Sequence, residues 1–210
     1  METYVELLTV ADAYTPDRLR RDYKELCFSG MYAFYGRPGS LPEVAPAFVQ
    51  LSHHSIDGSG WFLLYMGQAR KTSDERFLGV RCTKHCGKVS YEAQSQLRLG
   101  LCGVLHESWS LKPCFKLNKK DNNKKFIWLM PEQKARLTKW CDDNVLLKFV
   151  EVPETSLIDL DFLSDEESTL IQRHLPLLNT ECSAHPFTPV LRNLKRNFLE
   201  DGITRPYSKS

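Results

Sequence analysis

Apolar and polar positions divide this chain into short hydrophobic runs set between polar, proline-bearing stretches. Thr15-Pro16-Asp17 places a capping hydroxyl, a first-turn proline and an acid at the positive end of a helix, which predicts a helix over 15–27. Gly30 to Tyr35 is apolar and aromatic and closes on Gly36-Arg37-Pro38-Gly39, which predicts a strand. Residues 40–60, with their prolines, His53-His54 and a Gly-Ser-Gly, read as a long irregular connection. Trp61 to Tyr65 is a continuous apolar run after Gly60 and predicts a second, buried strand.

The pattern then turns helical. Helices are expected over 74–86, stopped by Gly87, and over 91–105. The stretch 112–125 is rich in Lys and Asn and reads as a loop. Residues 131–143 form an amphipathic helix with Leu137 and Trp140 inward, and 145–152 a strand apolar on both faces. Ser164 is expected to cap a helix whose first turn is Asp165-Glu166-Glu167, ended by Pro176. A last helix, entered at Pro189, covers 187–199. The sum is an α+β fold, a small antiparallel sheet with helices packed on it. No apolar run approaches the length of a membrane span.

Composition narrows the class. The chain has 210 residues, 42% hydrophobic and 26% charged, which suits one globular domain over 1–210 with a core at about 28–180 and the two terminal helices packed on it. A net charge of +2 excludes a polycation, so any contact with nucleic acid has to come from local basic clusters. Seven cysteines are an odd number, and Met1 to Val10 holds acids rather than a basic start. Reduced thiols in a cytoplasmic protein are therefore expected.

Candidate chemistry lies in five words. Gly30-Met31-Tyr32 and Tyr65-Met66-Gly67 stand on the two strands. Arg81 and His85 are four residues apart and share a helical face. Glu167-Ser-Thr-Leu-Ile leads to Leu175-Pro176-Leu177-Leu178-Asn179. Each residue alone has an ordinary role: a Tyr as core packing, an Arg as a solvated helix residue, a Glu as a helix-dipole partner. Two phenols, a guanidinium, an imidazole and a carboxylate together are what cutting a phosphodiester with a bound cation requires. Cys82 and Cys86 flank His85, with Cys102 and His106 further on, so a zinc site stands as an alternative. His53-His54 is a weaker metal signal, and a solvent-facing loop is the simpler reading there.

In this order the five words resemble the GIY-YIG nuclease family, with Met in place of Ile in both tyrosine words. The long connection between those words and the ending around Asn179 look most like the family's restriction endonucleases. The resemblance implies a metal-dependent DNA endonuclease. Tyr32 would take a proton from the attacking water, and Arg81 would grip the non-bridging oxygens. Tyr65 and His85 would bond the phosphate or orient the water, and Glu167 would hold Mg²⁺ or Mn²⁺. Asn179 would fix the geometry. Arg76 is the reserve for Arg81, because compact family members place the arginine sooner after the second tyrosine. Double-stranded DNA is the implied partner, and a palindromic target would call for a homodimer. A homing, mobile-element or repair nuclease, or a DNA-binding module without activity, are the competing contexts.

Two basic clusters could carry phosphate contacts: Lys116, Lys119, Lys120, Lys124 and Lys125 in the Asn-rich stretch, and Arg192, Lys195 and Arg196 on one face of the last helix. Each also reads as ordinary solvated surface.

Overall fold

The computed structural model describes residues 11–56, 59–71, 77–87, 95–118, 121–152 and 162–206. Its elements are α1 (Pro16–Asp22), β1 (Gly30–Gly36), α2 (Pro46–Leu51), β2 (His53–Ile56), β3 (Ser59–Ala69), α3 (Leu78–His85), α4 (Gln96–Leu105), β4 (Cys114–Asn118), β5 (Asp121–Trp128), α5 (Pro131–Asn144), β6 (Val145–Glu151), α6 (Phe162–His174) and α7 (Thr188–Thr204). The architecture is α+β. A four-stranded sheet in the order β2-β3-β1-β6, with every neighbouring pair antiparallel, carries the tyrosine words on its two central strands. A hairpin of β4 and β5 forms a second sheet.

Core packing lies on both faces of the main sheet. Tyr32, Phe34, Phe62 and Leu64 pack with Leu78 and Cys82 of α3 and Leu97 and Leu101 of α4. Met31, Ala33, Tyr35, Leu63 and Met66 pack with Leu163, Leu170 and Ile171 of α6. A strand buried on both sides needs apolar residues at every position, which is why both words read as unbroken apolar runs.

One irregularity positions the site. Between Phe34 and Tyr35 the register shifts: Phe34 pairs with Tyr65 but Tyr35 pairs with Leu63, which leaves Leu64 as a bulge. Side chains alternate along a strand, so without the extra residue Tyr65 would share the face of Leu63, under α6. The bulge turns Tyr65 to the face of Tyr32 and α3.

The upper half of β3 is an edge, because β2 pairs only with Ser59 to Phe62. The segment after α6 covers it. Leu177 N–H donates to the Leu63 carbonyl at 3.0 Å and Leu178 N–H to the Leu64 carbonyl at 2.7 Å. Asn179 takes both backbone groups of Met66: its Oδ1 accepts the N–H at 2.9 Å and its Nδ2 donates to the carbonyl at 3.0 Å. An edge closed in this way presents no ladder to another chain.

Several local expectations are corrected. The first helix ends at Asp22 rather than near Cys27, because the carbonyls of Leu26 and Phe28 turn to cap the first amides of α3 (3.1 Å each). The connection over 40–60 contains α2 and β2. The basic stretch read as a loop over 112–125 belongs to the β4–β5 hairpin, where the Lys116 ammonium lies 4.0 Å from the centre of the Trp128 ring. The last helix extends to Thr204. Finally, α6 starts at Phe162, so Ser164 lies inside it and Glu167 falls in the second turn. The carboxylate therefore gains little from the helix dipole, which fades beyond the first turn.

Candidate active site

The fold brings the words together. Tyr32, on β1, is fully buried, and its Oη lies 2.9 Å from His85 Nε2. Arg81 reaches the same oxygen from one turn earlier on α3, its Nε–H donating at 3.4 Å. The Tyr65 ring stands 6.4 Å from the Tyr32 ring and 5.1 Å from the His85 ring, centre to centre. The spacing of Arg81 and His85 is what lets one helix face serve both phenols.

Tyr32 fits beneath Arg81 because its register partner is Gly67. A Cβ at Gly67 would strike the Tyr32 hydroxyl and the ring carbon that bears it. Gly30 has a similar reason: a Cβ there would meet the Val150 carbonyl of β6. The glycines of both words therefore make room for side-chain and backbone contacts.

Glu167 comes from α6, which packs on the opposite face of the sheet, and lines the cleft beside Tyr65. Burial pushes the Glu167 pKa up, and hydrogen bonding with Gln68 and the Arg81 charge oppose that rise. Tyr65 is pushed up to about 12 by burial and the nearby Glu167 charge, against the pull of Arg81. Tyr32 is raised well above the ordinary phenol value, first by burial. Burial, with Arg81, Arg98 and Lys84 around it, holds His85 far below the ordinary imidazole value, so it is neutral.

Two depressions flank this group. A cleft of about 230 Å³ is lined by Tyr65, Ser164, Glu167, Ser168, Thr180 and Glu181 among others. On the other side of Arg81 lies a basic groove of about 330 Å³ built from Gln68, Arg70, Phe77, Val80, Arg81 and Lys84. Arg70 is anchored there, its Nε donating to Gln68 Oε1 at 3.3 Å and NH2 to Ser164 Oγ at 3.1 Å. The site thus has an acidic end and a cationic end, with Tyr65 on the acidic wall and Arg81 on the basic one.

The donors in the acidic cleft are mostly oxygens, with one half-buried carboxylate at Glu167, a second, exposed one at Glu181, and a single thiol at Cys182. That chemistry suits a hard dication such as Mg²⁺, which binds through one or two carboxylates and keeps most of its waters. It suits zinc less well. Among the described residues, no three His, Cys, Asp or Glu side chains are placed to hold a metal ion between them. Both nitrogens of His85 are engaged by hydroxyls, and Cys82 and Cys86 are buried thiols.

Other expected site residues lie elsewhere. Neither His85 nor Tyr32 lines either depression; both are buried behind Arg81 and Tyr65. Asn179 has its amide on Met66 and forms part of the cleft wall. Lys195 departs from the expectation of an exposed phosphate contact. It is 8% exposed, and its ammonium donates to Gln96 Oε1 at 2.7 Å and Thr180 Oγ1 at 3.2 Å. Arg192 and Arg196 are exposed; Arg192 donates to the Thr180 carbonyl at 2.6 Å, and Arg196 bonds Asn193 and Glu200. Arg76, Lys119 and Lys120 fall outside the described residues, as do the side chains of Lys124, Lys125, His53 and His54.

Gln68, Arg70, Ser164 and Glu181 were not singled out by sequence reasoning. Gln68 and Arg70 carried a faint signal, as polar residues at the end of an otherwise apolar strand. Ser164 read only as a helix cap, and Glu181 follows the last motif with nothing to mark it.

A small antiparallel sheet that gathers two tyrosines, an arginine and a glutamate between an acidic cleft and a basic groove is the framework of an enzyme that cuts phosphodiesters. The family model for the GIY-YIG catalytic domain matches residues 30–197, and the chain belongs to that family of nucleases. Neither the curated proteins nor the solved structures gave a match. No helix among the described residues is long and apolar enough to cross a membrane.

Proposed function

We propose that this chain is a metal-dependent DNA endonuclease of the restriction type, working in the cytoplasm as a homodimer on a palindromic duplex. The observation that supports it most is that four elements bring Tyr32, Tyr65, Arg81 and Glu167 close together, with Tyr65 and Glu167 lining the acidic cleft and Arg81 the basic groove beside it.

The chemistry follows from the geometry. Glu167, with Glu181 beside it, would hold Mg²⁺ or Mn²⁺ at the acidic end, and the ion would supply charge neutralisation at the phosphate. Arg81 leaves its long contact with Tyr32 for the non-bridging oxygens, where negative charge gathers as the bond breaks. The Tyr32 hydroxyl is then open to water. A water proton passes to Tyr32 Oη while the phenol proton passes to His85 Nε2, 2.9 Å away. The resulting hydroxide oxygen bonds to phosphorus, the bond to the leaving ester oxygen breaks, and that oxygen takes a proton from solvent. Tyr65, on the cleft wall, orients the phosphate. Arg70 and Lys84 extend the cationic track along the strand next to the scissile bond.

A plasmid-nicking assay with Mg²⁺ and with chelator tests this reading. Cleavage is expected with metal and not with chelator, and Glu167→Gln is expected to abolish it while the variant still binds duplex. Fixed bands support restriction and a smear a nonspecific nuclease. Cutting that survives chelation removes the metal from the reaction, and an uncut plasmid leaves a DNA-binding module.

A further inference from the structure

Tyr32 and His85 account for one end of a buried chain of hydrogen bonds; its other end is Ser95. His85 Nδ1 lies 2.8 Å from Ser95 Oγ, and Ser95 is 0% exposed. The same oxygen accepts the Arg98 N–H at 3.1 Å, which makes Ser95 the N-cap of α4. The chain therefore runs Tyr32 Oη, His85 Nε2, His85 Nδ1, Ser95 Oγ, with all three residues removed from solvent.

A neutral imidazole takes a proton on the nitrogen that carries no hydrogen, and which nitrogen that is depends on the hydrogen bond the other one makes. In water the solvent is the acceptor of that bond. At 1% exposure His85 has, among the described residues, no such acceptor but Ser95, whose oxygen retains one lone pair after the Arg98 bond. We infer that Ser95 is a positioning residue of the reaction: its hydroxyl accepts Nδ1–H, fixes the tautomer that leaves Nε2 bare, and so allows His85 to receive the Tyr32 proton. Helix α4 and the proton acceptor are then set by one oxygen, which holds Nε2 aimed at β1.

This rests on the reading of Tyr32 and His85 as the pair that handles the proton, and its test separates the two. Glycine caps a helix nearly as well as serine but has no hydroxyl, so Ser95→Gly removes the His85 partner and largely spares α4. Nitrogen-15 spectra of the full chain report the His85 tautomer with no need for activity. The wild type is expected to show His85 protonated at Nδ1, Ser95→Gly to move it toward the Nε2–H form, and Ser95→Thr to restore it. In plasmid cleavage, Ser95→Gly is expected to lower kcat by about tenfold with KM close to the wild type, and to lower Tm without unfolding the chain at assay temperature. In a His85→Ala background the same change is expected to have no further effect on kcat. An unchanged His85 tautomer in Ser95→Gly, or an equal loss of kcat with and without His85, overturns the role of Ser95. A wild type that never cleaves overturns the nuclease reading alone, and the tautomer still decides the question of Ser95.

Discussion

Tyr32 and Gly67 face each other across β1 and β3, and the phenol hydroxyl occupies the space a Cβ at Gly67 would need. The tyrosine of one word thus depends on the glycine of the other. The pairing sets the depth at which Tyr32 Oη meets Arg81 and His85.

Gly67→Ala is expected to force Tyr32 off its hydrogen bonds. Overpacking of this kind costs about 1–3 kcal/mol, and the displaced hydroxyl should remove most cleavage. Thermal unfolding and plasmid nicking check both effects. Adding Tyr32→Phe should recover part of the stability and none of the activity, since the hydroxyl is the nearest atom to the new methyl.

Asn179→Ala exposes the edge of β3. It removes two buried hydrogen bonds and strands the Met66 N–H and carbonyl, for a loss of about 2–4 kcal/mol. At this chain length that corresponds to a Tm lower by roughly 5–15 °C. A drop in Tm together with self-association in size-exclusion chromatography is the expected outcome, because an uncapped edge can pair with another copy.

Stability should fall on mild acidification. Burial holds His85, His174 and His185 below the ordinary imidazole pKa, with Arg81, Arg98 and Lys84 adding to the effect at His85. Between the folded and unfolded values the unfolded chain binds protons that the native state does not, so stability present above about pH 6.5 is lost as pH falls below it. His85→Gln should reduce the slope of unfolding free energy in that window by about 1.4 kcal/mol per pH unit. Denaturant melts at pH 7 and pH 5 measure it.

Arg70 and Lys84 line the basic groove without touching Tyr32 or Glu167. If the strand follows that groove, Arg70→Ala with Lys84→Ala should weaken duplex binding at low salt. The slope of log affinity against log salt should become shallower by about 1 for each residue removed. An unchanged slope would place the backbone elsewhere.

Much of the scaffold was legible in local sequence. Aromatic runs closed by glycine and proline announced β1 and the core of β3. The four-residue spacing put Arg81 and His85 on one helical face, and the apolar run over 145–152 announced β6. These signals are local, since each arises from residues within a turn or a strand of one another. The hairpin of β4 and β5 was masked by its lysines and asparagines, whose strand role depends on aromatic partners such as Trp128 across the pair.

The sequence by itself determined which residue types could act, and that two strands and two helices would carry them. Only the tertiary structure decided how they meet. The bulge at Leu64 turned Tyr65 toward Tyr32, the open edge of β3 drew in Asn179, and α6 brought Glu167 to the cleft beside Tyr65. Packing of α7 against α4 buried Lys195. The N-cap of α4 gave His85 its second partner. None of these follows from periodicity, because strand register, edge exposure and burial are set by pairing between residues tens of positions apart.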